Sequence, residues 1–184
     1  MDESEPNAVE LKGSLEGLFY VAAQCGAYHY WVRQVKPQLG SEGERYGFGP
    51  KDFIGNSIIE ATLLFIRKTN EFFKAPAKKH KPDTLYAYRF SNYCGGSEVL
   101  SAEEEAELHK RVGHITARGI RQGPKEWPIY DLVKRSLTHW QLFFEFLALR
   151  HFHDDLECKG QVEGYANVIE DLIRKMNADV EGTS

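Results

Sequence analysis

The sequence predicts an all-α protein, an up-and-down bundle of about five helices. Three observations predict it. Apolar residues recur at three- and four-residue intervals through most of the chain, a period of two is confined to one short stretch, and most connections are short enough to favour antiparallel neighbours.

The first periodic segment runs from Leu15 to Val35, where Leu15, Leu18, Phe19, Ala22, Cys25, Val32 and Val35 share a face and Pro37 and Gly40 close the helix. The second runs from about Asp52 to Ala75. Ile54, Ile58, Ala61, Phe65 and Phe72 make its stripe, and Ile59, Leu63, Ile66 and Phe73 widen it. So apolar a circumference predicts a central helix packed on several sides. Residues 76–100 are the least regular. Asp83 can cap a short helix across LYAYRF, while the alternation Tyr86, Tyr88, Phe90 equally suits an extended strand. Ser101-x-x-Glu104 is a capping-box pattern that opens a helix reaching about Gln122 and stopping at Gly123-Pro124. Pro128 suits the first turn of the longest helix, to about Asp154, with Ile129, Val133, Leu137, Trp140, Phe144 and Leu147 as its core stripe. A last helix, Gln161 to Met176, has Val162, Tyr165, Ile169, Leu172 and Ile173 in register. These elements make residues 14–176 one helical domain, with 1–13 and 177–184 expected as flexible tails.

With 42% hydrophobic and 27% charged residues, the composition is that of a soluble globular protein, and a net charge of −4 argues against a generally basic nucleic-acid wrapper. A local basic patch remains open, because a partner reads charge at one face. Cys25, Cys94 and Cys158 are widely spaced and form no CxxC pair, which excludes a disulfide framework and favours a reducing cytosol. The opening MDESEPNAVE is the reverse of a signal peptide. Glu60 and Glu145 break the strongest apolar runs, so no membrane span is expected and the expected location is cytoplasmic. HExxH, GxxxxGK[ST], GxGxxG and GxSxG are absent, as is Glu three residues before any histidine.

One segment concentrates chemistry: AELHKRVGHITARGIRQ, Ala106 to Gln122. On a helix Leu108, Val112, Ile115 and Gly119 fall within about 60° of one another and form the buried stripe. Lys110, Arg111, His114, Arg118 and Arg121 fall within about 100° on a neighbouring face. That row offers phosphate-binding cations around one titratable imidazole. It has a structural reading too, because Glu103, Glu104, Glu105 and Glu107 at the start and bases at the end complement the helix dipole, and Glu107 stands i,i+4 from Arg111. RHFHDD, Arg150 to Asp155, could ligate a transition metal, yet His151 and His153 at i,i+2 diverge on a helix and Arg150 matches Asp154 at i,i+4. Neither a metal nor another cofactor is therefore expected. Lys78, Lys79, His80 and Lys81, followed by Tyr86, Tyr88, Phe90 and Tyr93, could stack single-stranded bases or simply cover the bundle edge. Gly47, Gly49 and Lys51 could cradle an anion at a helix start.

The order of IIEATLLFIRKTNEFF, DTLYAYRF, LHKRVGHITARGI and FEFLALRHFH resembles the HEPN superfamily of nucleotide-binding helical domains, and within it members associated with bacterial abortive infection. The resemblance spans about Leu15 to Met176 as a pattern of helices and spacings. It implies a dimeric RNA- or nucleotide-binding component of a defence or toxin–antitoxin system, in a superfamily with many metal-independent ribonucleases. Those carry an Arg-x(4–6)-His motif, whose Arg holds the phosphate and whose His is the acid or base. No arginine here has a histidine at that spacing; the nearest pairs are Arg111/His114, Arg135/His139 and Arg150/His153. The expectation is therefore binding without cleavage. Should any catalysis occur, His114 and Arg111 would carry it, with Lys110, Arg118 and Arg121 on the phosphates. The alternative is a non-catalytic helical interaction module or scaffold, whose aromatic surplus of 12% would mark a partner face.

Overall fold

The computed structural model describes residues 8–38, 50–74, 85–90, 93, 98–111 and 127–181. Among them are six α-helices and no strand, an all-α bundle with one helix more than the apolar periodicity suggests. The helices are α1 (Ala8–Cys25), α2 (Ala27–Tyr30), α3 (Pro50–Phe73), α4 (Ala102–Arg111), α5 (Ile129–Arg150) and α6 (Leu156–Glu181). Among the described residues no helix is long and apolar enough to cross a membrane.

The extra helix arises because the first periodic segment is not straight. Gly26 interrupts it, and beyond α2 the backbone widens into a π-helix over Trp31–Val35 before a 3₁₀ turn, Lys36–Gln38. The widening changes the angular step per residue, so the expected stripe does not carry through. Trp31 is buried, whereas Val32 and Val35 are only half-buried. Gly55 on α3 faces that indole, and a Cβ there would meet Trp31 Nε1 at 3.4 Å, an ordinary van der Waals contact. The chain is also helical earlier and later than expected. α1 begins at Ala8 and buries Leu11, and α6 continues past Met176 to Glu181, so helix occupies part of both segments read as tails.

α5 and α6 form an antiparallel pair, with Phe144 against Tyr165 and Tyr130 near Asp179. α1 runs parallel to α6, its Phe19 stacking on Tyr165 at 4.1 Å and Gly26, just past its end, backed on Leu172. α3 packs against α1, α2, α4 and α5, as its apolar circumference suggests, but its buried face is rotated from the expected stripe. Leu63, Ile66 and Phe73 point inward with Thr62, Thr69 and Asn70, while Ile54, Ala61 and Leu64 are exposed. The polar residues lie inside because two of them tie helices together. Trp140 Nε1–H donates to Thr69 Oγ1 at 2.9 Å, and that hydroxyl donates to Phe65 O at 2.9 Å. Cys25 Sγ stands 3.3 Å from the same oxygen, and burial pushes its thiol up to about 12. Asn70 Oδ1 accepts the Leu100 backbone N–H at 3.1 Å, fixing the approach to α4.

The expected α5 stripe is all buried and, with Phe72, Phe73 and Phe143, builds an aromatic core around Trp140. In the irregular segment Ala87–Arg89 is a 3₁₀ turn flanked by extended backbone at Tyr86 and Phe90; over residues 85–90 neither the expected helix across LYAYRF nor a strand forms, and Asp83 lies outside the described residues.

Candidate functional site

The capping box at the start of α4 is formed as its spacing implies. Ser101 N–H donates to Glu104 Oε2 at 2.8 Å, and Glu104 N–H donates to Ser101 Oγ at 3.2 Å. Glu104 has a second task. Arg135 on α5 grips it with both terminal nitrogens, at 2.6 and 3.0 Å, and also donates to Val99 O at 2.9 Å. That guanidinium holds the Glu104 carboxyl below its usual range. The next residue, Glu105, accepts a hydrogen bond from Lys74 Nζ, one residue past the end of α3, at 2.7 Å. Two of the three first-turn acids thus bind cations on or next to neighbouring helices and anchor α4 at its N-terminal end, while Leu108 seals its underside.

The predicted basic row begins where this anchoring stops. Lys110 is exposed and Arg111 is the last residue of α4. The Arg111 side chain, with His114, Arg118 and Arg121, lies outside the described residues, as do Lys78, Lys79, His80, Lys81, Gly47 and Gly49.

At RHFHDD the chain turns. α5 ends at Arg150, so the i,i+4 register of Arg150 and Asp154 does not arise. His151 is half-buried with its ring edge-on to Phe90 and Phe146, whereas exposed His153 sits 2.8 Å from Asp154. Asp155 caps α6 by accepting the Cys158 N–H at 3.0 Å. Among the described residues no group of three or more His, Cys, Asp or Glu side chains could hold a metal. Phe90 and Tyr93 from the aromatic stretch pack against Phe143 and are part of the bundle wall. Arg135 and His139, the other short Arg/His pair, also have structural partners: Arg135 holds Glu104, and His139 Nδ1–H donates to Arg135 O at 2.8 Å.

One cluster has no counterpart among the expected sites. At the π-helix, Arg33 Nε donates to Asp179 Oδ2 at 2.7 Å. Buried His29 brings Nδ1 to 3.8 Å from the same oxygen, with no hydrogen-bond partner among the described residues, and its ring stands edge-on to Tyr130. Burial lowers the proton affinity of His29; Asp179 opposes this, and Arg33 and Lys175 add to it. His29 and Arg33 stand i,i+4 and were visible as a pair. Asp179 was not, because it falls in the segment read as a tail. Beside this cluster a cavity of about 410 Å³ opens between the α1–α2 corner and α6.

No family model, curated protein or solved structure matches this chain.

Proposed function

We propose that this chain is a HEPN-like helical domain of a bacterial defence or toxin–antitoxin system that binds RNA or a nucleotide through the basic row of residues 110–121 and does not cleave it. The observation that carries this reading is the commitment of Glu104 and Glu105 to Arg135 and Lys74. Glu104 and Glu105 are held by Arg135 and Lys74, so these two acids do not neutralise the basic row that follows. The absence of an Arg-x(4–6)-His spacing, and the structural roles of Arg135 and His139, support binding over catalysis.

Filter binding of a single-stranded RNA by the full chain tests it. If Lys110, Arg111, Arg118 and Arg121 each neutralise a phosphate, raising salt from 50 to 200 mM weakens binding roughly 50-fold. Arg118→Glu weakens it further and flattens the salt slope. Binding that ignores salt would sink the reading. RNA cleavage by the pure protein that His114→Ala abolishes would replace it with the ribonuclease version.

A second reading, a helical protein-interaction module, draws on the outer face of α5. There Leu142 and Leu149, 47% and 68% exposed, flank half-buried Phe146 at the i, i+4, i+7 spacing of a helix seam. Light scattering showing a dimer that Leu149→Glu dissociates would favour it.

A further inference from the structure

We infer that the cavity between the α1–α2 corner and α6 is a binding site for a small free amphiphile, an apolar chain ending in one anionic group, of which a medium-chain carboxylate is the simplest. The inference does not rest on the function proposed for residues 110–121.

The apolar half of this specificity comes from the walls. Buried Leu137 and Ile169 form the floor, with Phe19 and Leu172 half-buried at the sides. At the mouth, Tyr30 and Val168 are 62% and 56% exposed, so two of the large hydrophobic side chains left in water border the same opening. Its volume, about 410 Å³, lies within the range of small-molecule sites. At the roughly 30 Å³ a water molecule occupies in the liquid, that space takes on the order of a dozen heavy atoms. A ligand of that size covers floor and mouth together and removes both exposed groups from water.

The anionic half comes from the rim. Lys175 reaches Asp171 at 2.5 Å, and Arg174 also bonds that carboxylate. Asp171, which itself lines the cavity with Lys175, is shared with Arg174 off the cavity face, and the three together carry one net positive charge beside the mouth. On α6, Lys175 shares the cavity face with Val168 and Leu172, while Glu170 lies on the opposite side of the helix. The neighbouring carboxylate, Asp179, is already bound by Arg33. An anionic head group therefore finds Lys175 at the edge and its chain finds the apolar floor, the arrangement of a mostly apolar site with a few placed polar groups. Gly26 shapes the inner end, because a Cβ there would run into Leu172.

The test is calorimetric titration of the full chain with sodium decanoate below its micellar concentration, with decanol as the uncharged comparison. Saturable binding of one decanoate per chain is expected. Val168→Trp, at an exposed position where the fold has room, should fill the mouth and weaken decanoate about tenfold or more. Lys175→Glu should weaken decanoate about tenfold while changing decanol less than about twofold. Both variants are checked for an unchanged far-UV spectrum and melting temperature. Lack of saturation, decanoate binding unchanged in Val168→Trp, or equal losses for decanoate and decanol in Lys175→Glu would overturn the inference. So would a two-chain mass in light scattering that decanoate reduces to one, since the groove would then belong to a second copy.

Discussion

Thr69→Val tests the joint that holds α1, α3 and α5 together. The substitution keeps the shape and replaces the hydroxyl by a methyl. Trp140 Nε1–H, now donating at 2.9 Å in a site where both residues are buried, would lose its acceptor. A buried donor left unsatisfied costs about 1–3 kcal/mol. The methyl returns part of this, on the order of 0.8 kcal/mol for a buried carbon. The Phe65 carbonyl keeps its place in the helical ladder, and Cys25 can still donate to Val21 O at 3.4 Å, so neither adds much. The expected net loss is about 1–2 kcal/mol, read from urea unfolding followed by far-UV circular dichroism, with an unchanged m-value. The decisive comparison is a double-mutant cycle with Trp140→Phe, which deletes the donor. In that background Thr69→Val should be close to neutral, a coupling of about 1–2 kcal/mol. An equal cost in both backgrounds would show that the indole–hydroxyl bond does not hold this joint.

Two further predictions concern titration. Arg135 depresses the Glu104 carboxyl, so the pair's contribution is full above the ordinary value of 4.5 and is lost as pH falls through the folded value. Glu104→Gln should therefore cost about 1 kcal/mol at pH 7, a figure discounted for the partial exposure of both partners, and its unfolding curve should converge with wild type in acid. Curves separated equally at pH 7 and pH 3 would contradict this. Burial also depresses His29 below its usual 6.5, so the unfolded chain takes up a proton the native state resists. That contribution is complete above pH 6.5 and disappears as pH falls through the folded value. The melting temperature of His29→Phe should accordingly decline less than wild type between pH 6.5 and 5, and parallel declines would show that His29 is not the group responsible.

Much of the bundle was legible because local physics dictates it. The α5 stripe from Ile129 to Leu147 is a regular apolar repeat, and the Ser101/Glu104 box is a contact between residues three apart, so neither needs a partner helix to be read. The rotation of α3 was not legible. Thr62, Thr69 and Asn70 look like a surface until Trp140 and Leu100 supply partners for two of them. Nor was the end of α5, expected at about Asp154 and found at Arg150, with Asp155 capping the next helix.

The candidate site divides in the same way. Sequence alone predicted that Lys110, Arg111, His114, Arg118 and Arg121 would share one helical face, from a fixed angular step per residue; of these only Lys110 and Arg111 fall on α4 as described. Only the tertiary structure decided which acids near them are already spent, because Arg135 and Lys74 reach Glu104 and Glu105 from 31 positions away in the chain. The same holds for the groove. Phe19, Leu137 and Val168 lie on three different helices, and only packing brings them to one cavity. A helix face is a local property of the chain, whereas the partner of a charge and the walls of a cavity exist only after the chain has closed on itself.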